Sequence, residues 1–205
     1  MLKLSEGVFF VLYPVHLCTI RKERDMKTYK GNERGIDWDL VAQIICDWIA
    51  DSVKAGDALL PQNLGTIKAQ LERGECAVVF DGKQVVGYLT TYLLGTDSHG
   101  RAWYEVGTGI VPVERRGQGI GAILYKYIAK RHPKETLVCT TKNPVALHLS
   151  VSAGFEIRPF SDVPTEIRQG LCYSAPCFIA GENNCCVSQQ ELGGTCYARI
   201  RLPLK

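Results

Sequence analysis

The sequence has no apolar run long enough to cross a bilayer, no internal repeat, no low-complexity tract and no strong excess of either charge. Its most apolar stretch, Gly7-Val8-Phe9-Phe10-Val11-Leu12-Tyr13-Pro14-Val15, is too short for a spanning helix, contains Pro14, and lacks the small-residue cleavage site of a secretory signal. Aromatic and β-branched residues dominate it, which predicts an opening strand over about 7–20. No membrane partner and a cytoplasmic location are therefore expected. The net charge is +3. Arg21, Lys22, Arg24, Lys27, Lys30 and Arg34, set against Glu23, Asp25 and Glu33, account for all of it. That segment reads as a solvated loop, and so mild and local a surplus gives no reason to expect a nucleic-acid partner.

What is present is the composition of an ordinary globular domain: 205 residues, 46% apolar and 22% charged, enough to bury one sound core. The apolar stripe Val41, Ile44, Ile45, Trp48, Ile49, Val53 predicts a helix from about Asp37 to Ala55, with Asp37 as N-cap and Gly56 just past the end. A second helix is expected over about 64–73, ended by Gly74. Strands are expected at about 75–80, 84–94 and 102–111, the first two joined by a turn at Asp81-Gly82. A helix over about 118–131, stopped by His132-Pro133, a strand over 136–141 and a helix over 144–153 opening on Pro144 follow. Strands near 155–159 and 196–202 close the chain. The order implies an α/β (mixed α+β) fold in a single domain, its central mixed sheet flanked by helices on both faces.

One segment points to chemistry. Gly109-Ile110-Val111-Pro112-Val113-Glu114-Arg115-Arg116-Gly117-Gln118-Gly119-Ile120-Gly121-Ala122 runs from an apolar strand through three glycines into a helix. Bare backbone N–H groups then gather at a helix N-terminus, where they can grip a phosphate. A Walker loop needs Gly-Lys-Ser/Thr next, and Gly121-Ala122-Ile123 supplies neither residue. A Rossmann turn needs G-x-G-x-x-G, whereas Gly117, Gly119 and Gly121 alternate singly. R-x-x-G-x-G remains, as Arg116 to Gly121.

This loop resembles the coenzyme A loop of the GNAT superfamily of acyl-CoA N-acyltransferases. The similarity extends to Val111, five residues before Arg116, and to Asn143, Ala146, Leu149 and Gly154-Phe155 downstream. Upstream it takes in Leu59-Leu60-Pro61 and the strand pair Cys76–Tyr88, so that it covers about residues 57–160. The resemblance implies a splayed sheet, acetyl-CoA as co-substrate with no metal required, a primary amine as acceptor, and room for a homodimer. It implies that Ile110, Val111, Val113, Arg116, Gly117, Gln118, Gly119, Ile120, Gly121, Ala122 and Asn143 bind the coenzyme, with Lys142 in reach of a phosphate. An acceptor that is a small molecule or amino acid, a protein amino group, or no acceptor at all in a sensing module are the alternatives.

Gly107 and Gly109 interrupt an otherwise sound strand, which suggests a bulge or the close approach of something else. An amine attacks only when neutral, so a base is needed. Glu105 is the candidate: period-2 geometry puts it on the same face as Val111, and its offset of eleven from Arg116 matches the base of the histone-acetylating branch. A surface carboxylate at a strand end is the alternative. Seven residues after the Asn, where many members of the superfamily carry a Tyr that protonates the departing thiolate, stands Ser150, a poorer and shorter acid. Cys139 reads as a buried strand residue and His148 as a helix-surface residue. Five of the nine cysteines, Cys172, Cys177, Cys185, Cys186 and Cys196, fall late. Their spacing fits zinc poorly, so thiols are the simpler reading and no metal site is expected.

Overall fold

The computed structural model describes residues 26–56, 59, 61–141, 143–171 and 197–203. The expected strand at 7–20, Lys142 and the cysteines from Cys172 to Cys196 lie outside them. Seven strands form one sheet in the order β1-β2-β3-β4-β5-β7-β6. They are β1 (Met26–Tyr29), β2 (Cys76–Asp81), β3 (Gln84–Thr96), β4 (Ala102–Ile110), β5 (Thr136–Cys139), β6 (Glu156–Pro159) and β7 (Tyr197–Arg201). β4 and β5 run parallel and every other neighbouring pair antiparallel. The parallel pair requires a crossover, which α3 (Ile120–Arg131) supplies.

The helices end where their caps dictate. α1 (Trp38–Lys54) starts on Asp37, whose carboxylate accepts from the Leu40 amide at 3.1 Å. α2 (Leu64–Arg73) starts on Asn63 and stops at Gly74 in the left-handed conformation, φ +66°. α4 (Pro144–Ser152) has its proline in the first turn. One face of the sheet carries α1 and α2: Val41, Ile45, Ile49, Ile67 and Leu71 pack on Val78, Phe80, Tyr88 and Ile110. The opposite face carries α3 and α4, with Ile120, Leu124, Ile128 and Leu149 on Val79, Leu89, Val106 and Leu137. Among the described residues no helix is long and apolar enough to cross a membrane.

Three features depart from the sequence reading. Residues 26–29, expected in a solvated loop, form edge strand β1 on β2, and Tyr29 meets Phe80 edge-to-face at 5.4 Å. The helix α5 (Thr165–Leu171) was not foreseen; it seats Ile167 and Leu171 on Trp103, Val138 and Ile200. The β2–β3 turn centres on Gly82-Lys83, because Asp81 is still paired, with Gln84. Gly82 takes the positive φ, +62°, that such a two-residue connection demands.

Candidate active site

β4 is laddered on both sides in its first half, with one extra β3 residue, Leu94, opposite Trp103 and Tyr104, and only on the β3 side in its second. Trp103, Tyr104 and Glu105 pair with Thr136, Leu137 and Val138 of β5, and there that ladder ends although β4 continues to Ile110. On the other side, Thr90 faces Gly107 and Tyr88 faces Ile110, so Thr108 and Gly109 together oppose Leu89. This is a bulge. Its first residue, Thr108, sits at φ +46°, a left-handed conformation that a β-branched side chain rarely adopts. β4 and β5 therefore part just beyond Glu105, as the two glycines suggested.

The bulge also breaks the period-2 count. Glu105 stands directly across from Tyr92 on the α1/α2 face. Ile110 lies on that same face, whereas Val111 packs toward α3. Glu105 and Val111 thus point to opposite faces, contrary to strict alternation, because the residue inserted at Thr108 shifts the phase by one. Burial raises the Glu105 carboxyl from an ordinary 4.5 to about 7. A carboxyl poised there changes protonation at neutral pH, which suits a general base.

After Ile110 the chain makes a single 3₁₀ turn, Val113–Arg115, before α3. The Arg115 guanidinium bonds Asp81 at 3.1 Å and Gln84, which ties this turn to the β2–β3 hairpin. Arg116 Nε donates to the Val111 carbonyl at 3.2 Å, and the Gln118 side chain donates to the Glu114 carbonyl at 3.2 Å. These two side chains brace the loop's own backbone. Gly117 and Gly119 hold φ +73° and +81°, with nothing within 4 Å of where a Cβ would stand. Open space and glycine-only geometry coincide at the mouth of α3. Its first intrahelical bond runs from Ile123 N to Gly119 O, so the amides of Ile120, Gly121 and Ala122 precede the ladder. That cradle is what a pyrophosphate needs.

The missing side chain of Gly121 also serves packing. A Cβ there would stand 2.6 Å from Leu149 Cδ1, and one at Gly87 would stand 2.6 Å from Ile120 Cγ2. Both glycines let α3 settle closely, on α4 and on β3. Val113 is largely exposed beside the loop, and Ile110 is buried beneath it. Asn143 caps α4: its Oδ1 accepts from the amides of Val145 (2.9 Å) and Ala146 (3.4 Å). Its Nδ2 is the half of the side chain left to donate to a ligand.

The acetyltransferase (GNAT) family model matches residues 43–155, more than half of the chain. The chain belongs to the GNAT family. No curated protein matches it significantly. Among solved structures, Rv2747 from Mycobacterium tuberculosis, in complex with CoA, is 18% identical with a TM-score of 0.59; the match covers 87% of this chain and 99% of that one. The putative acetyltransferase yncA from Salmonella typhimurium, with acetyl-CoA, is 17% identical with a TM-score of 0.51, over 65% and 80% of the two chains. N-acetylglutamate synthase from Neisseria gonorrhoeae, complexed with coenzyme A and N-acetyl-glutamate, is 14% identical with a TM-score of 0.55, over 90% of this chain but 36% of its own. These likenesses show the GNAT fold.

Four further residues lie around this GNAT site. Ser150 is fully buried, its hydroxyl donating to the Leu147 carbonyl at 2.8 Å, so it has no surface to offer a ligand in the cleft. Cys139, also buried, has its thiol raised to about 11, chiefly by burial, and is inert as a nucleophile. His148 lies on the α4 surface. The sequence reading missed Tyr92, which faces Glu105; a tyrosine inside an apolar strand gives no local signal of such a role. Among the described residues, no group of His, Cys, Asp and Glu gathers closely enough to hold a metal ion.

Proposed function

We propose that this chain transfers an acetyl group from acetyl-CoA to a primary amine of a small molecule or amino acid, by direct attack in a ternary complex. The observation that carries the reading is the parting of β4 from β5 immediately after Glu105, between an open glycine cradle and a base poised near neutrality. Acetyl-CoA supplies an activated acyl carbon. The amides at the start of α3 and the backbone of Gly117 and Gly119 would hold its pyrophosphate, helped by the helix dipole. The parted backbone beyond Glu105 would accept its extended arm as a substitute strand, and Asn143 Nδ2 would donate to it. Backbone N–H groups near Val111 would polarise the acyl carbonyl. Glu105 would take the proton from the attacking ammonium, directly or through one water. The solved relative carrying N-acetyl-glutamate favours an amino acid among acceptors.

The test is a thiol-release assay with acetyl-CoA and a panel of amino acids, small amines and peptide N-termini, run beside calorimetry with CoA. Binding together with turnover on free amines is the expected result. Binding without turnover on any amine would leave an acyl-CoA sensor, and turnover confined to peptides would move the acceptor to protein amino groups.

A further inference from the structure

The family position that commonly carries the thiolate's proton donor holds the buried Ser150, which leaves the departing sulfur without an acid. Tyr92 stands on β3 directly across from Glu105, the last residue of β4 laddered to β5. Its ring lies across Gly107: a Cβ on that glycine would be 3.3 Å from Tyr92 Cε2 and 4.0 Å from Glu105 Cγ. A side chain at 107 would push the ring away, so the glycine makes room for the phenol to cross β4. The Tyr92 hydroxyl then meets the Thr108 hydroxyl at 2.8 Å.

In the Tyr92–Thr108 bond either hydroxyl can serve as the donor. The Tyr88 hydroxyl donates to Gln70 Oε1 at 2.5 Å, and both residues are fully buried. Gln70 also pulls the Tyr92 phenol down, against the burial that raises it. Burial lifts the Tyr92 phenol above its usual 10, so at neutral pH it keeps a proton to give. Thr108 keeps a left-handed backbone at φ +46° although Gly107 and Gly109, either side of it, would adopt that conformation without strain. The bond to Tyr92 is the contact that a glycine in its place could not make.

We infer that Tyr92 is the proton donor to the departing thiolate, and that Thr108 is the positioning residue that holds its phenol across β4. The inference rests on the acetyl-transfer reading above. As the tetrahedral adduct collapses, the carbon–sulfur bond breaks, its electron pair stays on sulfur, and the Tyr92 O–H proton moves there. The proton that Glu105 took from the amine then passes to the Tyr92 oxygen, its direct partner across the β3–β4 pair, or does so through one water. Both groups return to their starting states, with the amine's proton on the thiol. That return runs downhill, because Glu105 titrates at about 7 whereas burial lifts the Tyr92 phenol above its usual 10, with Thr108 and Gln70 opposing and Glu105 reinforcing the rise.

Two measurements on the full chain test this. The first is kcat and KM for acetyl-CoA with the best amine of the panel; the second is titration of the bound CoA thiol, followed by its ultraviolet absorbance, which needs no acceptor. Tyr92→Phe is expected to lower kcat roughly 100-fold, the scale of general acid catalysis, with KM for acetyl-CoA within about twofold. In the same variant the bound thiol should titrate about one pH unit higher than in the wild type. Thr108→Val should move both readouts the same way and Thr108→Ser should restore them. Full kcat and an unmoved thiol titration in Tyr92→Phe would overturn the role of Tyr92 and leave the acetyl-transfer reading intact. Wild-type protein that fails to bind CoA would overturn both.

Discussion

The two halves of β4 are built on opposite principles. The first half is laddered on both sides and anchored at its base by Asp97. That buried carboxylate accepts from the amides of His99 and Arg101, from Arg101 Nε and from Trp103 Nε1, all at 2.9–3.0 Å. Burial alone would raise its pKa, but these bonds outweigh it and hold the group well below the usual carboxylate range. The second half has glycine at two of its positions, a bulge, a threonine in a left-handed conformation, and no ladder to β5. Polar backbone is paired on both edges in one half and with β3 alone in the other. Glu105 sits at the junction, held by the doubly paired half where the ladder to β5 stops. Preorganisation and access are thus divided along a single strand.

Removing the group at the junction should have the largest effect. Glu105→Gln is expected to cut acetyl transfer by about 100- to 1,000-fold while CoA binding persists. The wild-type rate should fall as pH drops through about 7, since Glu105 must be ionised to act, and that limb should vanish in the variant. Stability moves the other way. A carboxyl raised from 4.5 to about 7 binds more protons folded than unfolded between those values, so its contribution is full below about 4.5 and is lost as pH rises through about 7. Glu105→Gln should therefore melt above the wild type at pH 8 and close to it at pH 4. A pH-rate profile beside a melting series checks both, and equal melting at both pH values would remove the buried-carboxyl account.

Breaking the anchored half should come next. Asp97→Ala strips four bonds from one buried acceptor and leaves the indole N–H of Trp103 without its partner. A fall in Tm of roughly 5–10 °C is expected, the size seen when a buried polar cluster loses its centre in a domain this large. CoA affinity, read by calorimetry below the transition, should change less than about threefold, because the cradle hangs from the other half. A large loss of CoA affinity without a change in Tm would reverse the assignment of roles.

The same division explains what could be read from the chain. Regular elements announced themselves: the stripe from Val41 to Val53, the caps Asp37 and Gly74, Pro144 and the glycine loop each tie a residue type to one backbone demand. The charged neighbours of Met26–Tyr29 masked a strand of four residues, too short for its alternation to emerge. α5 is seven residues long and contains Gly170, so Ile167 and Leu171 gave too brief a stripe. At the site, Glu105 and the loop were legible. Their relation to Val111 was not, because no local rule predicts that Thr108, between two glycines, takes the positive φ. The burial of Ser150 and the crossing of Tyr92 over Gly107 are tertiary facts, set by how α4 and β3 meet their neighbours.

The smallest expected effect separates strain from contact at the bulge. Replacing Thr108 by glycine relieves a left-handed β-branched residue, a gain of about 1–2 kcal/mol. Against it stand the lost hydroxyl bond to Tyr92, about 1 kcal/mol, and the greater freedom of glycine in the unfolded chain, about 0.5–1 kcal/mol. These oppose one another closely, so Thr108→Gly should leave Tm within about 2 °C of the wild type by calorimetry. Its kcat should nonetheless fall toward that of Tyr92→Phe, since the phenol loses the partner that holds it across β4. A rise in Tm of several degrees would mean that the hydroxyl bond contributes little and that the threonine is kept for function alone. A steep fall would make Thr108 a structural pin, and the singly paired half of β4 would then be as firmly anchored as the doubly paired one.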